Sequence, residues 1–310
     1  MLLAAGHVMA SDKDTTSDVV VNDEMVTISS GKRPLAEYRY QGVPFKPYVA
    51  KLYTPNGVQI LRDSPHDHKH HHALMFALSV DGVDFWSERP RCGSQKSQAI
   101  KELHNTHKGV QLQTGFVDKL VWTEPKKGKV LLNEQRSIDV ELLEKPRPVT
   151  LLTWESQLSV PQGMDSVKLG GEHYFGLGMR FVESMDKGGR FFNSEKAPGQ
   201  VVRGTERLTA ARWCAYEAKV DDKPVTVVLF DFPANPRHPN KMFSMTRPFS
   251  YLSATLNLWK EPMTLKDAKP LSLCYGVVVC DGTLKPSEID AVYQHWLAKQ
   301  ALRIADEMYK

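Results

Sequence analysis

Turn signals set at short intervals among strand-forming runs constrain this chain most. Asn56-Gly57 divides YVAKLYTPNGVQILRD into two β-forming halves, and Asp81-Gly82 does the same for ALMFALSVDGVDFW. Such dipeptides accept positive φ at both central positions of a type I′ turn, whose twist suits two antiparallel strands. Further strand-forming runs are DVVVND, EMVTISS, GVQLQTGFVDKLVW, KVLLNEQRSIDVELL, VTLLTWESQLSV, HYFGLGMRFV, PVTVVLFDF and LSLCYGVVVCDG. Pro125 to Gly128 and Asp221-Asp222-Lys223-Pro224 punctuate them. No amphipathic helix interrupts the series before Pro286, which suits a first helical turn, with Ser287 and Glu288 beside it at the positive end of the dipole. Ile289, Val292, Tyr293, Trp296 and Leu297 then recur at helical spacing, so a helix over 286–308 is predicted to lie on a sheet. Without a βαβ alternation, the expected fold is all-β, a large antiparallel β-sandwich with a C-terminal helix. No linker or internal repeat divides it, which makes 18–310 one domain.

A chain of 310 residues with 41% hydrophobic and 25% charged residues can bury a sizeable core. The net charge of +4 is mild and its signs are intermixed, which argues against nucleic acid as a partner. No apolar run approaches the length of about 18 residues that a spanning helix needs, so no membrane partner is expected. The opening MLLAAGHVMASDK resembles the end of a secretory signal, with Val8-Met9-Ala10 as the cleavage site. It is short and lacks a basic region, so a start upstream of Met1 and a periplasmic or secreted protein are expected. A disordered cytosolic tail is the competing reading. Cys92, Cys214, Cys274 and Cys280 follow no metal spacing, and Cys274 and Cys280 fall too far apart on one strand to bridge.

The densest chemistry is HDHKHHH, five histidines in seven positions from His66 to His72, followed by an apolar run from Ala73 to Leu78. In an extended segment His66, His68, His70 and His72 would share one face, with Asp67, Lys69 and His71 opposite. The run behind them is apolar on both faces, which suits a central strand and puts the histidines at the rim of a cleft. Three readings remain open: general acid/base or substrate-binding groups, a divalent-metal site on His68 and His70, or a hydrogen-bonded loop without chemistry.

Three other stretches carry candidate groups. In DFPANPRHPN, Pro233, Pro236 and Pro239 restrict the backbone around Asn235, Arg237 and His238, and Arg237 is suited to clamp a carboxylate or a pair of hydroxyls. In GGEHYFGLGMRF, Glu172 is a candidate base, with Arg180 further along the strand. Arg212 and Trp213 in ARWCAY, and Asp84, Trp86 and Glu88 in DGVDFWSERP, supply aromatic faces beside polar groups, as sugar sites do. Each also has a structural reading as a core tryptophan, a solvated strand end or a surface ion pair.

Together these motifs resemble a bacterial family labelled PmoA-like, common in carbohydrate-degrading bacteria. Its D-H-P-H-H-R-G run corresponds to Asp67 through Ala73, with His72 in place of Arg and Ala73 in place of Gly. Gly82-Val83-Asp84-Phe85-Trp86, Glu172 with Arg180, Arg212-Trp213, the N-P-R-H-P loop at Asn235 to Pro239 and the strand Tyr275 to Gly282 also match. The likeness runs from about residue 40 to 298. The label points to a membrane-bound methane oxygenase, which a chain without a spanning run does not resemble. The sandwich also resembles the galactose-mutarotase type, which hosts epimerases, lyases and glycosidase accessory domains.

The expectation is therefore an exported carbohydrate-active enzyme working on a sugar or uronic-acid-containing glycan, with lyase, hydrolase and epimerase unresolved. His68, His70 and His71 would supply acid/base groups, with Glu172 or His238 opposite. Arg180, Arg212, Asn235 and Arg237 would bind carboxylate or hydroxyls, and Trp86 or Trp213 would stack on the ring. No cofactor is required unless a divalent metal sits on His68 and His70. The alternative is a glycan-binding protein without turnover.

Overall fold

The computed structural model describes residues 17–107, 110–145 and 147–308. The signal-like N-terminus lies outside them. Ten strands form one sheet in the order Ser17–Val21, Met25–Ser30, Arg33–Arg39, Tyr48–Leu52, Leu74–Ala77, Gly176–Arg180, Tyr251–Thr255, Lys241–Met245, Arg207–Ala210 and Gln200–Val201. Eight form a second, in the order Arg190–Asn193, Trp213–Val220, Lys223–Asp231, Leu271–Asp281, Val149–Ser159, Val130–Leu143, Val110–Thr123 and Ser94–His107. A small four-stranded sheet holds the Asp81-Gly82 hairpin, where Asp81 (φ 48°) and Gly82 (φ 78°) take the positive angles a type I′ turn requires. At Asn56-Gly57 the chain also turns, with the Gly57 N–H donating to Thr54 O (2.8 Å), but the second arm forms isolated bridges in place of a strand, Tyr53 to Gln59, Leu61 to Phe181 and Asp63 to His72. The architecture is the expected all-β antiparallel sandwich with a C-terminal helix.

Register decides which side chains meet. Leu177 sits opposite both Phe76 and Ala254, and the Phe76 ring is 6.0 Å from Trp122 of the eight-stranded sheet, so this face closes the sandwich core. One residue on, Gly178, Arg180, Met75, Tyr251 and Ser253 point the other way, joined by Phe243 and Met245 of the next strand. That outer face carries the candidate site. The core strand Leu74–Ala77 is buried throughout, as its two-sided apolar pattern implies.

The helix Pro286–Met308 lies on the outside of the eight-stranded sheet, where Ile289, Val292, Tyr293 and Trp296 pack on Val149, Leu151, Trp213, Val228 and Phe230. Glu288 accepts a hydrogen bond from the Lys285 backbone N–H (2.8 Å), half of a capping box at the predicted start. The four cysteines are free and buried.

Candidate functional site

The histidine run is not extended. Two consecutive turns, closed by His68 N–H to Pro65 O and His71 N–H to His68 O (2.9 Å each), fold it into a compact loop. Ser64 ties both ends together, its N–H donating to His71 O and its hydroxyl to Lys69 O (2.9 Å each). The expected alternation therefore fails. His68, His70 and His71 gather on one side, with ring centroids 4.5–5.7 Å apart, while His72 turns into the core and His66 is exposed.

The three gathered rings form one wall of an open cavity of about 510 Å³, within the usual range for small-ligand sites. Tyr174, Phe243, Phe249 and Tyr251 make its aromatic lining, Glu206 supplies a carboxylate, and Arg89, Arg203 and Arg247 stand at its rim. Gly178 makes this packing possible: a Cβ there would sit 2.0 Å from the Tyr251 hydroxyl oxygen and 3.2 Å from the Trp86 ring. Burial, helped by the charges of neighbouring His70 and His68, pushes His71 down to about 2. Burial and then His68 lower His70 to about 4. Both are neutral imidazoles at pH 7.

His71 Nδ1, the Tyr251 hydroxyl and Trp86 Nε1 are all buried without a hydrogen-bond partner. The His71 ring lies 5.2 Å from Tyr251 and 6.4 Å from Trp86. His71 and Tyr251 line the cavity and Trp86 lies behind it; two orphaned polar atoms in one lining stand out, because native interiors satisfy nearly all such groups.

Behind the loop, a buried chain of charges holds it in place. His72 Nδ1 is 2.7 Å from Asp63, its Nε2 is 3.0 Å from Glu88, and its ring stacks on Tyr48 at 4.5 Å. Tyr48 donates to Asp63 (2.7 Å), and Lys46 pairs with Glu88 and donates to Trp86 O (3.1 Å). Burial works against a charged His72, but its hydrogen bonds to Asp63 and Glu88 outweigh that and its pKa is raised. His72, which stands where the resembling motif has Arg, is bonded through both ring nitrogens to carboxylates. Ala73, where that motif has Gly, adopts φ 44°, a left-handed conformation that favours glycine.

Other anticipated residues lie elsewhere. Trp86 is wholly buried and stacks on Phe175 (5.0 Å), so it backs the cavity and offers no face to a sugar ring. Arg180 is buried too, holding Asp186 (3.1 and 3.3 Å) and Ser250 O (3.2 Å) under the Phe249 ring, where burial lowers its pKa. Glu172 is exposed and outside the lining; Glu206, joined to His173 (3.3 Å) and Arg203 (2.7 Å), occupies the position expected of it. Trp213 is buried under the helix, donating to Asp290 (2.8 Å), and Arg212 lies beside Asp290 and Glu195 (3.7 and 3.9 Å).

The N-P-R-H-P loop sits at the Lys241 end of strand Lys241–Met245, whereas the cavity is lined at the Met245 end, roughly 13 Å along the strand. Asn235 and His238 do not reach the cavity: they serve buried Asp231, which accepts from Asn235 (2.8 Å), from the Asn240 N–H and side chain (2.8 and 2.7 Å), and faces His238 Nδ1 at 2.7 Å. Arg237 donates to Leu256 O and Glu261 O. The expected convergence of all these motifs on one site is thus not formed. Nor do His68 and His70 find a third donor: among the described residues no three His, Cys, Asp or Glu side chains are placed to hold a metal. No helix among the described residues is long and apolar enough to cross a membrane. Glu206, Phe249 and Tyr251 lie outside the stretches that the sequence singles out, and Tyr174 lies within GGEHYFGLGMRF without itself being a candidate; strand pairing places Tyr251, and the segments flanking the strands place the other three.

The chain belongs to the DUF6807 family, a family of unknown function whose profile matches residues 25–294. That match carries no PmoA-like label. No curated protein sequence matches. Among solved structures the chain is similar to the GH36 α-galactosidase AgaB from Geobacillus stearothermophilus, at TM-score 0.49 and 11% identity over 86% of this chain and 41% of that one. It is also similar to YeaD from Salmonella typhimurium, described as a mutarotase, at TM-score 0.40 and 10% identity over 88% and 96% of the two chains. The chain spans less than half the length of the α-galactosidase.

Proposed function

We propose that this DUF6807 member is an exported protein, periplasmic or secreted, that binds a sugar or uronic-acid-containing glycan in the cavity under His68, His70 and His71 and acts on it by acid–base chemistry. The observation that carries the reading is the pair of unpaired buried atoms in the cavity's lining residues, His71 Nδ1 and the Tyr251 hydroxyl, within an aromatic lining. Each such group costs on the order of 1–3 kcal/mol when left unpaired. A ligand with several hydroxyls removes that cost, and Phe249, Tyr174 and Phe243 offer its apolar ring face a surface. Arg89 and Arg247 at the rim suit a carboxylate. In this arrangement the neutral His70 accepts a proton and Glu206 is the opposite group.

A second reading, glycan binding without turnover, draws on the burial of His71 among the Trp86, Phe249 and Tyr251 rings, which disfavours its protonated form and makes it a weak base. Product analysis separates the two. The test is a thermal-shift and calorimetric screen of neutral sugars, uronic acids and their oligomers. At least one class is expected to stabilise the protein, and Tyr251→Phe and His71→Ala to weaken it about tenfold or more, the loss of one good hydrogen bond to ligand. Failure of every class, or binding unaffected by both variants, would sink the reading.

A further inference from the structure

We propose that Trp259 is an outer subsite for a second sugar unit, so that the ligand of the cavity is an oligosaccharide. The inference rests on the sugar reading above and goes beyond it in naming ligand length. Of the six tryptophans, Trp86, Trp122, Trp154, Trp213 and Trp296 are buried, whereas Trp259 is 42% exposed. A large aromatic held in solvent is costly in a free protein and useful where a ligand covers it.

Its place and its rigidity both follow from the contacts. The His173 ring stands 5.8 Å from Trp259, crossing it at 68° without stacking, and is 5.0 Å from Tyr174 and 5.5 Å from Phe243, both of which line the cavity. His173 also meets Glu206. One ring therefore separates Trp259 from the cavity wall, comparable to one further sugar unit. The turn that carries Trp259 is closed by Lys260 N–H and Glu261 N–H to Asn257 O (3.2 Å each). Arg237 clamps both sides of it, through Leu256 O (2.5 Å) and Glu261 O (2.7 Å). Asp231 in turn holds the loop that presents Arg237. The N-P-R-H-P motif stays clear of the cavity and instead fixes the turn that bears the platform. Arg237 is a positioning residue, and Trp259 is the group that meets the sugar.

The experiment uses size ladders, monomer to tetramer, of oligogalacturonates and of neutral cello-oligosaccharides, titrated into the full chain. Dimers are expected to bind about tenfold tighter than monomers, with Trp259→Ala removing that increment and leaving monomer affinity unchanged. Arg237→Ala should reduce the same increment, and Arg237→Lys should restore part of it. Because the other tryptophans are buried, acrylamide quenching reads Trp259 directly, and dimers but not monomers should protect it. Monomer binding with no gain for dimers, or a gain that survives Trp259→Ala, overturns the outer subsite and leaves the cavity reading standing. No binding by any member of either ladder overturns both.

Discussion

His72→Leu tests how the histidine loop is held. The substitution keeps an apolar body beside Tyr48 but removes the donors to Asp63 and Glu88. Hydrogen bonds to charged groups contribute about 1.5–3 kcal/mol each. The Asp63 end is partly open to solvent, 32% exposed, and contributes at most about 1 kcal/mol. At the buried Glu88 end Lys46 remains as a partner, so the full penalty of an unpaired buried charge does not fall due. The expected loss is therefore about 2–4 kcal/mol, or a Tm lower by roughly 3–6 °C for a chain of this size. The pH profile adds a second, independent signature. His72 has a raised folded pKa, so its contribution is complete below its unfolded value near 6.5 and fades as pH rises through the folded value. For Asp63 and Glu88, burial raises but the bonds to His72 lower, and the net pKa is depressed in each. Their contribution is complete above about pH 4.5 and is lost as pH falls through the folded values. The network is thus strongest between about pH 4.5 and 6.5. Urea unfolding at a series of pH values should show that maximum flattened in His72→Leu. A loss under about 0.5 kcal/mol with an unchanged profile would refute the assignment.

Two further outcomes check the packing around the cavity and the proline loop. Gly178→Ala drives a methyl group against the Tyr251 hydroxyl and the Trp86 ring, and denaturant unfolding should show a loss of about 1–3 kcal/mol, the usual cost of overpacking. Asp231→Ala strands the Asn240 side-chain and backbone donors and one of the two Asn235 N–H bonds, the other still donating to Cys274 O, which should lower stability by about 3 kcal/mol or more and open the chain to trypsin after Arg237.

Much of the fold was legible because its signals are local. The Asp81-Gly82 hairpin follows from two residues that tolerate positive φ, and the helix follows from Pro286, Glu288 and an apolar stripe. The strand Ser94–His107 was missed because SQKSQAIKELHNTH is polar on both faces; it forms the edge of the eight-stranded sheet, where charges discourage further pairing. HDHKHHH stands out as a candidate site, but its shape depends on turns closed through Pro65 and Ser64, and alternation could not foresee them.

The opposite wall was illegible for a different reason. Tyr251 meets the histidines only because Arg180 pairs with it on one side and Met245 on the other, contacts between segments about 70 residues apart or joined by a later turn. No local pattern encodes such register. Nothing local sets Glu206 apart from Glu172, yet Glu206, held by His173 and Arg203, lines the cavity while Glu172 stays in solvent. The proline loop shows the same division. Its three prolines correctly marked a pre-ordered backbone, but what that order serves is a turn some 20 residues further on, the one that holds Trp259. Where a motif's side chain is spent on backbone carbonyls, as that of Arg237 is, the motif specifies the position of another segment.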